Sequence, residues 1–328
     1  MEKVLYYIRE RHAFFQRHAF HTKKYVYFGC VVFLCLAMSG CGKSGEWEKH
    51  MVEETVYVEG LEKDYTFLFL TDTPVIIPNE DASPQEAENE AARMPMFVPE
   101  SGISSAEQFP EWVRYANEEK VDAVLLGGDV IDTPSPSNLE WLAGQLAGLD
   151  MPYLYVNGNH DWTYPWEYMT QSGQETYLPL LQPLMGGNTA IHSLDLGELV
   201  LVGIDDSSNQ VNEEVFPAYE EILREGRPMV VVAHVPFMTQ SVLGKAKEVW
   251  SSPVVIGAGN YGGVYPNETS EKFVSLTTAA DSPVELVLAG HVHFYDKDVI
   301  EGERNVLQLV GGPGFQGQAI LIHMTGKK

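Results

Sequence analysis

Residues 65–72 read YTFLFLTD, an apolar run of strand length that ends in Thr71 and Asp72. Two runs of the same kind follow along the chain, VDAVLLGGD at 121–129 and MPYLYVNGNHD at 151–161. A continuous apolar run of this length is typical of a strand that is buried on both faces of a parallel sheet. A carboxylate at the end of such a strand is costly to bury unless a partner or a cation offsets its charge. These runs therefore predict a parallel sheet with a polar edge.

Helical patterns separate these strands, at 104–120 and at 137–150. This β-α-β-α-β alternation predicts an α/β fold with right-handed crossover connections. The second half is rich in strand-like runs, with helical patterns at 212–226 and 270–281. With no internal repeat and no clear linker, the sequence predicts one domain over residues 60–328.

Residues 73–103 interrupt the alternation and are rich in Pro, Glu and Ala. This composition predicts a long loop with up to one helical turn. Loops of this length at the end of a strand are usually functional or disordered.

The N-terminus has the pattern of an export signal. Lys23 and Lys24 precede a short apolar run, which small residues follow, so residues 1–40 are predicted to be a signal peptide. The stretch Met38-Ser39-Gly40-Cys41 resembles a bacterial lipobox, in which the cysteine is acylated. We therefore expect an extracytoplasmic protein, anchored to the bacterial cell membrane by a lipid on Cys41, with a tether over 41–59. The alternative is an uncleaved membrane anchor, for which the apolar run is short.

Charge and cysteine content restrict the function further. The chain has 328 residues, with 46 acidic against 21 basic ones, and a formal net charge of −25. Such a surface repels polyanions, so long nucleic acid is not an expected partner. The only cysteines are Cys30, Cys35 and Cys41, and the first two belong to the predicted signal. The mature chain therefore has no thiol pair for a disulfide, a redox centre or a Cys-based metal site.

Polar residues follow five of the strand-like runs. In parallel α/β sheets, ligands bind outside the carboxyl ends of the strands, so these residues are expected at one edge. The five strand ends are TDTP (71–74), GDVID (128–132), GNHD (158–161), AHVPF (233–237) and GHVHF (290–294), which bring together Asp72, Asp129, Asn159, His160, His234, His291 and His293.

Imidazole and carboxylate ligands without a thiolate favour Fe, Zn, Mn, Co or Ni. His291 and His293 are two positions apart, so both reach one site only if the chain turns near Gly290. Two adjacent metal ions need a shared carboxylate, and Asp129 is the natural bridge.

This ordered set of motifs resembles the calcineurin-like metallophosphoesterase family over about residues 65–323. The resemblance implies a four-layer αββα sandwich with a dinuclear metal site that hydrolyses phosphate esters. By position, Asp129 would bridge the ions, while Asp72 and His293 would complete the first site. The second site would be completed by Asn159, His234 and His291.

The resemblance also implies roles for three residues beside the metal ions. His160 would stabilise the transferring phosphoryl group or protonate the leaving oxygen. Asp132 and Asp161 would orient imidazoles or loops.

The family's first motif is D-x-H, whereas this chain has Asp72-Thr73-Pro74. Proline has no ligand atom, so the first site lacks one imidazole and is expected to be weakened. His192 and His323 lie in strand-like runs and are interpreted as structural. Acidic residues within 80–90 are the other potential replacement.

The leading hypothesis is an enzyme that hydrolyses phosphate mono- or diesters of small molecules, using water activated by two divalent ions (Mn, Fe, Zn or Ni). A hydrolase with one resident metal ion is the next hypothesis. The last is a lipid-anchored ligand-binding protein on a degenerate phosphoesterase fold, although binding alone does not require His160.

Asp205 and Asp206 are interpreted as residues of a solvated turn.

Overall fold

The computed structural model describes residues 49–163, 169–250 and 268–326. Eleven strands occur in these ranges: β1 His50–Val58, β2 Tyr65–Leu70, β3 Ala123–Leu126, β4 Tyr153–Tyr155, β5 Ile191–Asp195, β6 Val200–Ile204, β7 Met229–Val232, β8 Val284–Ala289, β9 Asp296–Ile300, β10 Val306–Val310 and β11 Gln318–Gly326. The helices in the same ranges are α1 Pro84–Arg93, α2 Ser105–Glu119, α3 Pro136–Leu146, α4 His160–Thr163, α5 Gln171–Leu181, α6 Phe216–Glu225, α7 Gln240–Trp250 and α8 Glu268–Thr277, with 3₁₀ turns at Met94–Phe97, Glu213–Val215 and Gly314–Gln316.

The strands form two mixed sheets, in the orders β1-β11-β2-β3-β4 and β5-β6-β7-β8-β10-β9. In the first sheet β2, β3 and β4 are parallel, as the alternation predicted. Strand β11 runs antiparallel to β2 and parallel to β1. In the second sheet β6, β7, β8 and β10 are parallel, and antiparallel β5 and β9 close the two edges.

Strand β2 shows why the run from Phe67 to Leu70 is apolar at every position. Phe67 and Phe69 pack between the two sheets, where they belong to one cluster with Val230 and Leu288 of the second sheet. Leu68 and Leu70 point to the other face, where they meet α2 and α3. Because side chains alternate along a strand, a strand between a sheet and a helix layer is apolar on both faces.

The opposite face of the second sheet packs against α6 and α8, through residues such as Tyr219 and Phe273. The layers therefore run helix, sheet, sheet, helix. This arrangement confirms the predicted α/β fold with a four-layer αββα sandwich.

The domain begins earlier than the sequence predicted. Residues 50–58 were assigned to a tether over 41–59, but they form β1, which pairs with all nine residues of β11. The strand was overlooked because Glu53, Glu54 and Thr55 interrupt its apolar residues, although Val56 and Val58 are buried.

The segment 73–103 is more regular than the predicted loop. It contains the ten-residue helix α1, and a 3₁₀ turn at Met94–Phe97 follows directly. Ser83 starts α1 with a capping box in which its side chain accepts from the backbone of Glu86, while the Glu86 carboxylate accepts from the backbone of Ser83. Pro84 occupies the first turn, where a missing N–H costs nothing.

The predicted signal at 1–40 and the lipidation site Cys41 lie outside the described residues. Among the residues that are described, no helix combines the length and the apolarity needed to cross a membrane.

Candidate metal centre

The strand ends of both sheets meet at one edge. Asp72 follows β2 of the first sheet, and its carboxylate accepts the backbone N–H of His291, which follows β8 of the second sheet, at 2.9 Å. Asp129 follows β3, and its Oδ2 lies 3.3 Å from Nε2 of His234, which follows β7. The predicted ligands of the two sheets are therefore direct neighbours.

Four of these residues have left-handed backbone conformations, with φ of 54° at Asp72, 51° at Asp129, 70° at His291 and 56° at His293. Non-glycine residues rarely adopt positive φ, and such residues concentrate at functional sites. The two histidines thus lie in a turn and not in a regular strand, which lets side chains two positions apart reach the same region. This is the turn that the sequence required near Gly290.

Asp129, His234 and His291 form the tightest group of ligand atoms, all within 4.8 Å of one another. Nδ1 of His234 lies 2.8 Å from the carbonyl of Gly127, so this nitrogen donates and Nε2 keeps its lone pair. His234 is fully buried, and its Nε2 makes no hydrogen bond with any described residue. A buried imidazole nitrogen beside a carboxylate is a donor set that fits a divalent cation.

The electrostatics of the group favour a positive charge at this point. Burial lowers the pKa of His234, but the carboxylate of Asp129 raises it more, to about 10. Burial and the neighbouring His234 lower the pKa of His291 to about 3. The carboxylate thus draws one positive charge into the cluster, and a metal ion bound there would supply that charge in place of the proton.

Asp72 and His293 lie on the other side of the centre. Nε2 of His293 is 3.4 Å from Oδ1 of Asp72, and Thr71 Oγ1 donates to the same carboxylate at 2.9 Å. This pair supplies fewer ligands than the group around Asp129. That the site formed by Asp72 and His293 is weakened by Pro74 stays a prediction.

The backbone explains why proline is accepted at position 74. The N–H groups of Thr73 and Val75 donate to the carbonyls of Asp129 and Val130, at 2.8 and 2.9 Å. Position 74 lies between these two bonds and needs no N–H, so a proline costs no hydrogen bond there.

The spare histidines do not replace the missing ligand. Nδ1 of His323 lies 3.2 Å from Oγ1 of Thr66, on neighbouring strands of the first sheet. His192 lies on β5, against Gly203 of β6. Both positions agree with the structural role predicted for them.

Asn159 and His160 reach the centre from the end of β4. Asn159 is nearly buried, and the backbone N–H of His160 donates to Oδ1 of Asp129 at 2.7 Å. Nε2 of the His160 ring lies 3.8 Å from Oδ2 of the same carboxylate. The ring thus lies beside Asp129, the carboxylate to which the resemblance assigns the metal bridge.

Asp132 and Asp161 have different surroundings. Asp132 Oδ1 lies 2.7 Å from Nδ1 of His160 and orients that ring. Asp161 accepts backbone N–H groups from Val130 and Ile131 at 2.9 Å and from Gly158 at 2.7 Å, so it shapes the loop around Asp129.

Asp205 and Asp206 are not solvated, contrary to the sequence interpretation. Both are buried, and Oδ1 of Asp206 accepts the N–H groups of His234 and Val235 at 2.9 and 3.0 Å. Asp205 accepts from Asn157 at 2.9 Å. A strand that ends inside the molecule leaves N–H groups that need acceptors, and these carboxylates meet that need.

Arg93 is the site residue that the sequence analysis missed. It is the last residue of α1, and its guanidinium, with 7% of the side chain exposed, contacts Asp132 and His160. In the sequence, Arg93 is a single basic residue at the end of an acidic, alanine-rich segment, and this pattern gives little indication of a site residue.

Comparisons with known proteins agree with this geometry. A family model described as calcineurin-like phosphoesterase matches residues 65–295. Two relatives, each described as an uncharacterized metallophosphoesterase, come from Helicobacter pylori strains J99 and 26695. They are 26% identical over 163 residues and 27% identical over 160 residues. Each match covers 47% of this chain and 40% of the relative, so the chain matches well under half of their length.

Matches to solved structures are at low sequence identity. A dimetal phosphatase from Danio rerio is 14% identical, with a TM-score of 0.48, over 77% of this chain and 88% of that one. A 5'-nucleotidase from Staphylococcus aureus, described as putative, is 12% identical, with a TM-score of 0.33, over 75% of this chain and 48% of that one.

Proposed function

The chain belongs to the calcineurin-like phosphoesterase family, and from this premise we propose that it hydrolyses phosphate mono- or diesters of small molecules outside the cytoplasm. The observation that carries the proposal is the buried group of Asp129, His234 and His291, with the ring of His160 beside it. Ligand binding alone would need a cation and a pocket. A third imidazole, that of His160, is held next to the same carboxylate and suits proton transfer to a reacting group.

The ligands divide into two sites that share Asp129. Asn159, His234 and His291 would complete one site, and Asp72 with His293 would begin the other. Two divalent ions at these sites, of Mn, Fe, Zn or Ni, would activate a water and polarise the phosphoryl oxygens. The protein contributes the fixed ligand geometry and the exclusion of bulk water from the buried side of the centre.

His160 is the residue that would handle the proton of the leaving group. Its Nδ1 faces Asp132 and its Nε2 faces the metal centre, so the ring has one anchored and one reactive nitrogen. Burial lowers the pKa of His160, but the carboxylates of Asp129 and Asp132 raise it more, so the net direction is upward. A proton on Nε2 would pass to the leaving oxygen as the ester bond breaks.

A second candidate differs only in the number of resident ions. Three ligand atoms cluster tightly around Asp129, whereas the pair of Asp72 and His293 stands next to Pro74. This asymmetry favours a hydrolase that holds one ion firmly and takes up the second with its substrate.

The location outside the cytoplasm is supported by the N-terminal sequence alone. The lipobox-like stretch at 38–41 would place a lipid on Cys41 and join the protein to the membrane. Cys41→Ser is expected to move the protein from the membrane fraction to the soluble fraction of the cells that produce it. Retention of the variant in the membrane would contradict lipid attachment at this residue.

Turnover tests the enzymatic proposal. The purified protein, loaded with Mn, Zn, Fe or Ni, is expected to hydrolyse p-nitrophenyl phosphate or bis-p-nitrophenyl phosphate. On an alkyl phosphate, whose leaving oxygen needs a proton, His160→Ala should lower kcat by about 10²- to 10⁴-fold, as expected for loss of a general acid, with unchanged metal content. His323→Ala is the matched control, since that ring contacts Thr66 on the sheet, and it should keep the activity. No turnover of either ester with any of the four metals would contradict the proposal.

A further inference from the structure

Arg93 forms a two-point ion pair with Asp132 beside the metal centre, although the two residues are 39 positions apart in the sequence. Its Nε donates to Oδ2 of Asp132 and its Nη2 donates to Oδ1, each at 2.5 Å. Only 7% of the Arg93 side chain and 2% of the Asp132 side chain are exposed. A side-on, two-point contact of this kind fixes the plane of the carboxylate as well as its position.

The same carboxylate oxygen also meets His160. Oδ1 of Asp132 lies 2.7 Å from Nδ1 of His160, and Nη2 of Arg93 lies 2.8 Å from that nitrogen. A lone pair on Nδ1 would face the anionic oxygen at this distance, which is repulsive. We assign the Nδ1 proton to a bond with Asp132, because the anionic oxygen is the stronger acceptor. The guanidinium, which can only donate, then bonds to Asp132 and lies alongside the ring nitrogen without bonding to it.

This arrangement leaves Nε2 as the reactive nitrogen of His160. The ring is held on its other side by Phe97, edge to face, with centroids 5.6 Å apart. Phe97 belongs to the 3₁₀ turn that follows α1, so the same segment supplies both Arg93 and Phe97. One short piece of chain thus determines where Nε2 points.

We propose that Arg93 is a positioning residue for phosphoester hydrolysis, acting through Asp132 to hold the His160 ring with Nε2 directed at the leaving oxygen. The inference rests on the proposed function, because it assigns a purpose to a contact of that same centre. Without the two-point ion pair, the Asp132 carboxylate is free to rotate and the imidazole loses its fixed orientation. Arg93 itself does not contact the reacting atoms in this account.

Two other roles for Arg93 make different predictions. If the buried ion pair only stabilises the packing of residues 73–103 on the domain, its loss would lower the free energy of unfolding. Turnover of all substrates would then fall by the same factor. A direct contact with the substrate phosphate would raise KM and leave the dependence on the leaving group unchanged. A positioning role through His160 affects kcat most where the leaving oxygen needs a proton.

The experiment compares an alkyl phosphate, whose leaving group needs a proton, with p-nitrophenyl phosphate, whose leaving group departs as an anion. Arg93→Gln is expected to lower kcat for the alkyl ester by about 10- to 100-fold, as for other residues that orient a functional imidazole. The loss on the p-nitrophenyl ester should be much smaller. Arg93→Lys keeps the charge without the two-point contact and should give a partial loss. Arg114→Gln, at an arginine with 54% of its side chain exposed, is the matched control.

A double variant tests whether Arg93 acts through Asp132. If it does, Arg93→Gln combined with Asp132→Asn should lose no more alkyl-ester turnover than Asp132→Asn alone. This variant contains no unpaired buried charge, so it also serves if the single Arg93 variants fail to fold. Losses that multiply in the double variant would overturn the proposal.

Nuclear magnetic resonance supplies a readout that does not depend on turnover. In the zinc-loaded protein, the Nδ1 proton of His160 is expected as a slowly exchanging signal, assigned by its absence in His160→Gln. The signal should be lost to exchange in Arg93→Gln and retained in Arg114→Gln. Its retention in Arg93→Gln would overturn the proposal.

The kinetic results distinguish a failure of the inference about Arg93 from a failure of the proposed function. If the wild type hydrolyses both esters and Arg93→Gln matches Arg114→Gln, the inference is wrong and the proposed function stands. The inference is also wrong if both esters lose activity equally or if only KM rises. If the wild type hydrolyses neither ester with any metal, the proposed function fails and the inference fails with it.

Discussion

Gly290 stands where the two sheets come closest at the metal centre. A Cβ atom at this position would lie 1.9 Å from Oγ1 of Thr71 and 2.6 Å from Oδ2 of Asp72. Both contacts are far shorter than van der Waals distances, and both partners are buried. The absent side chain therefore lets the strand of the second sheet approach the carboxylate of the first.

Gly290→Ala is expected to displace Asp72, because neither buried partner has room to retreat. Overpacking of this kind usually costs about 1–3 kcal/mol of unfolding free energy, and here it should also reduce metal binding. Gly144→Ala is the matched control, since an added Cβ there has no atom within 4 Å. On the exposed face of α3 it should raise stability by about 0.5–1 kcal/mol. Denaturant unfolding and elemental analysis measure both effects, and full metal content in Gly290→Ala would contradict this account.

Pro74 is the residue that distinguishes this centre from the family motif. The family motif D-x-H places a histidine at this position, where this chain has a buried proline. Pro74→His is expected to raise the affinity of the first site, that of Asp72 and His293, for its metal ion. Pro74→Ala, which removes the ring without adding a ligand, is the comparison. Metal titration followed by elemental analysis measures this difference. Equal affinities in the two variants would mean that another group already completes the first site.

Residue identities at the centre were largely predictable, but their conformations were not. The order of the motifs was enough to nominate Asp129, His234 and His291, which the fold brings within 4.8 Å of one another. The left-handed backbone conformations of Asp72, His291 and His293 depend on contacts between two sheets whose residues are distant in sequence. Asp206 was misjudged for the same reason, because only the packed structure shows which backbone groups it must satisfy.

At the scale of elements, α1 and the 3₁₀ turn after it form a compact addition to the edge of the sandwich. The helix carries Arg93 at its last position, and the turn carries Phe97. Ser83 and Glu86 start the helix with a capping box, whose bonds measure 3.3 and 2.7 Å. Helix formation here thus helps to hold the His160 ring.

Ser83→Ala is expected to cost about 1 kcal/mol of local helix stability, because an N-cap acceptor is lost. Hydrogen exchange should become faster over residues 84–97, and turnover should fall as Arg93 loses its fixed support. Ser104→Ala is the control, since Ser104 precedes α2 and its hydroxyl donates to the carboxylate of Glu107. It should weaken the start of α2 and leave turnover unchanged. Equal turnover in the two variants would contradict a role for α1 in the site.

The strands and helices differ in how clearly the sequence predicts them. The parallel strands β2, β3 and β4 were predicted because both faces are buried, which makes the runs apolar throughout. Strand β1 was overlooked because it lies at an edge, where polar residues such as Glu53 and Thr55 stay exposed. Helix α1 was underestimated although its capping box was readable, because proline and glutamate dominated the composition.

At the scale of the whole molecule, the centre exists only where the two sheets meet. One sheet supplies Asp72, Asp129 and Asn159, and the other supplies His234, His291 and His293. The ligands are far apart in sequence, so a metal ion that binds them all also holds the two sheets together. Binding to the folded state alone raises stability in proportion to the logarithm of the free metal concentration.

The central claim is that these ligands bind two divalent ions around a shared Asp129 and use them to hydrolyse phosphate esters. The most direct test measures metal ions per chain and turnover together, in the wild type and in Asp129→Asn, after stripping and reloading with manganese. The account predicts two ions per chain and turnover in the saturated wild type, with both lost in Asp129→Asn. Normal metal content and turnover in Asp129→Asn would contradict it.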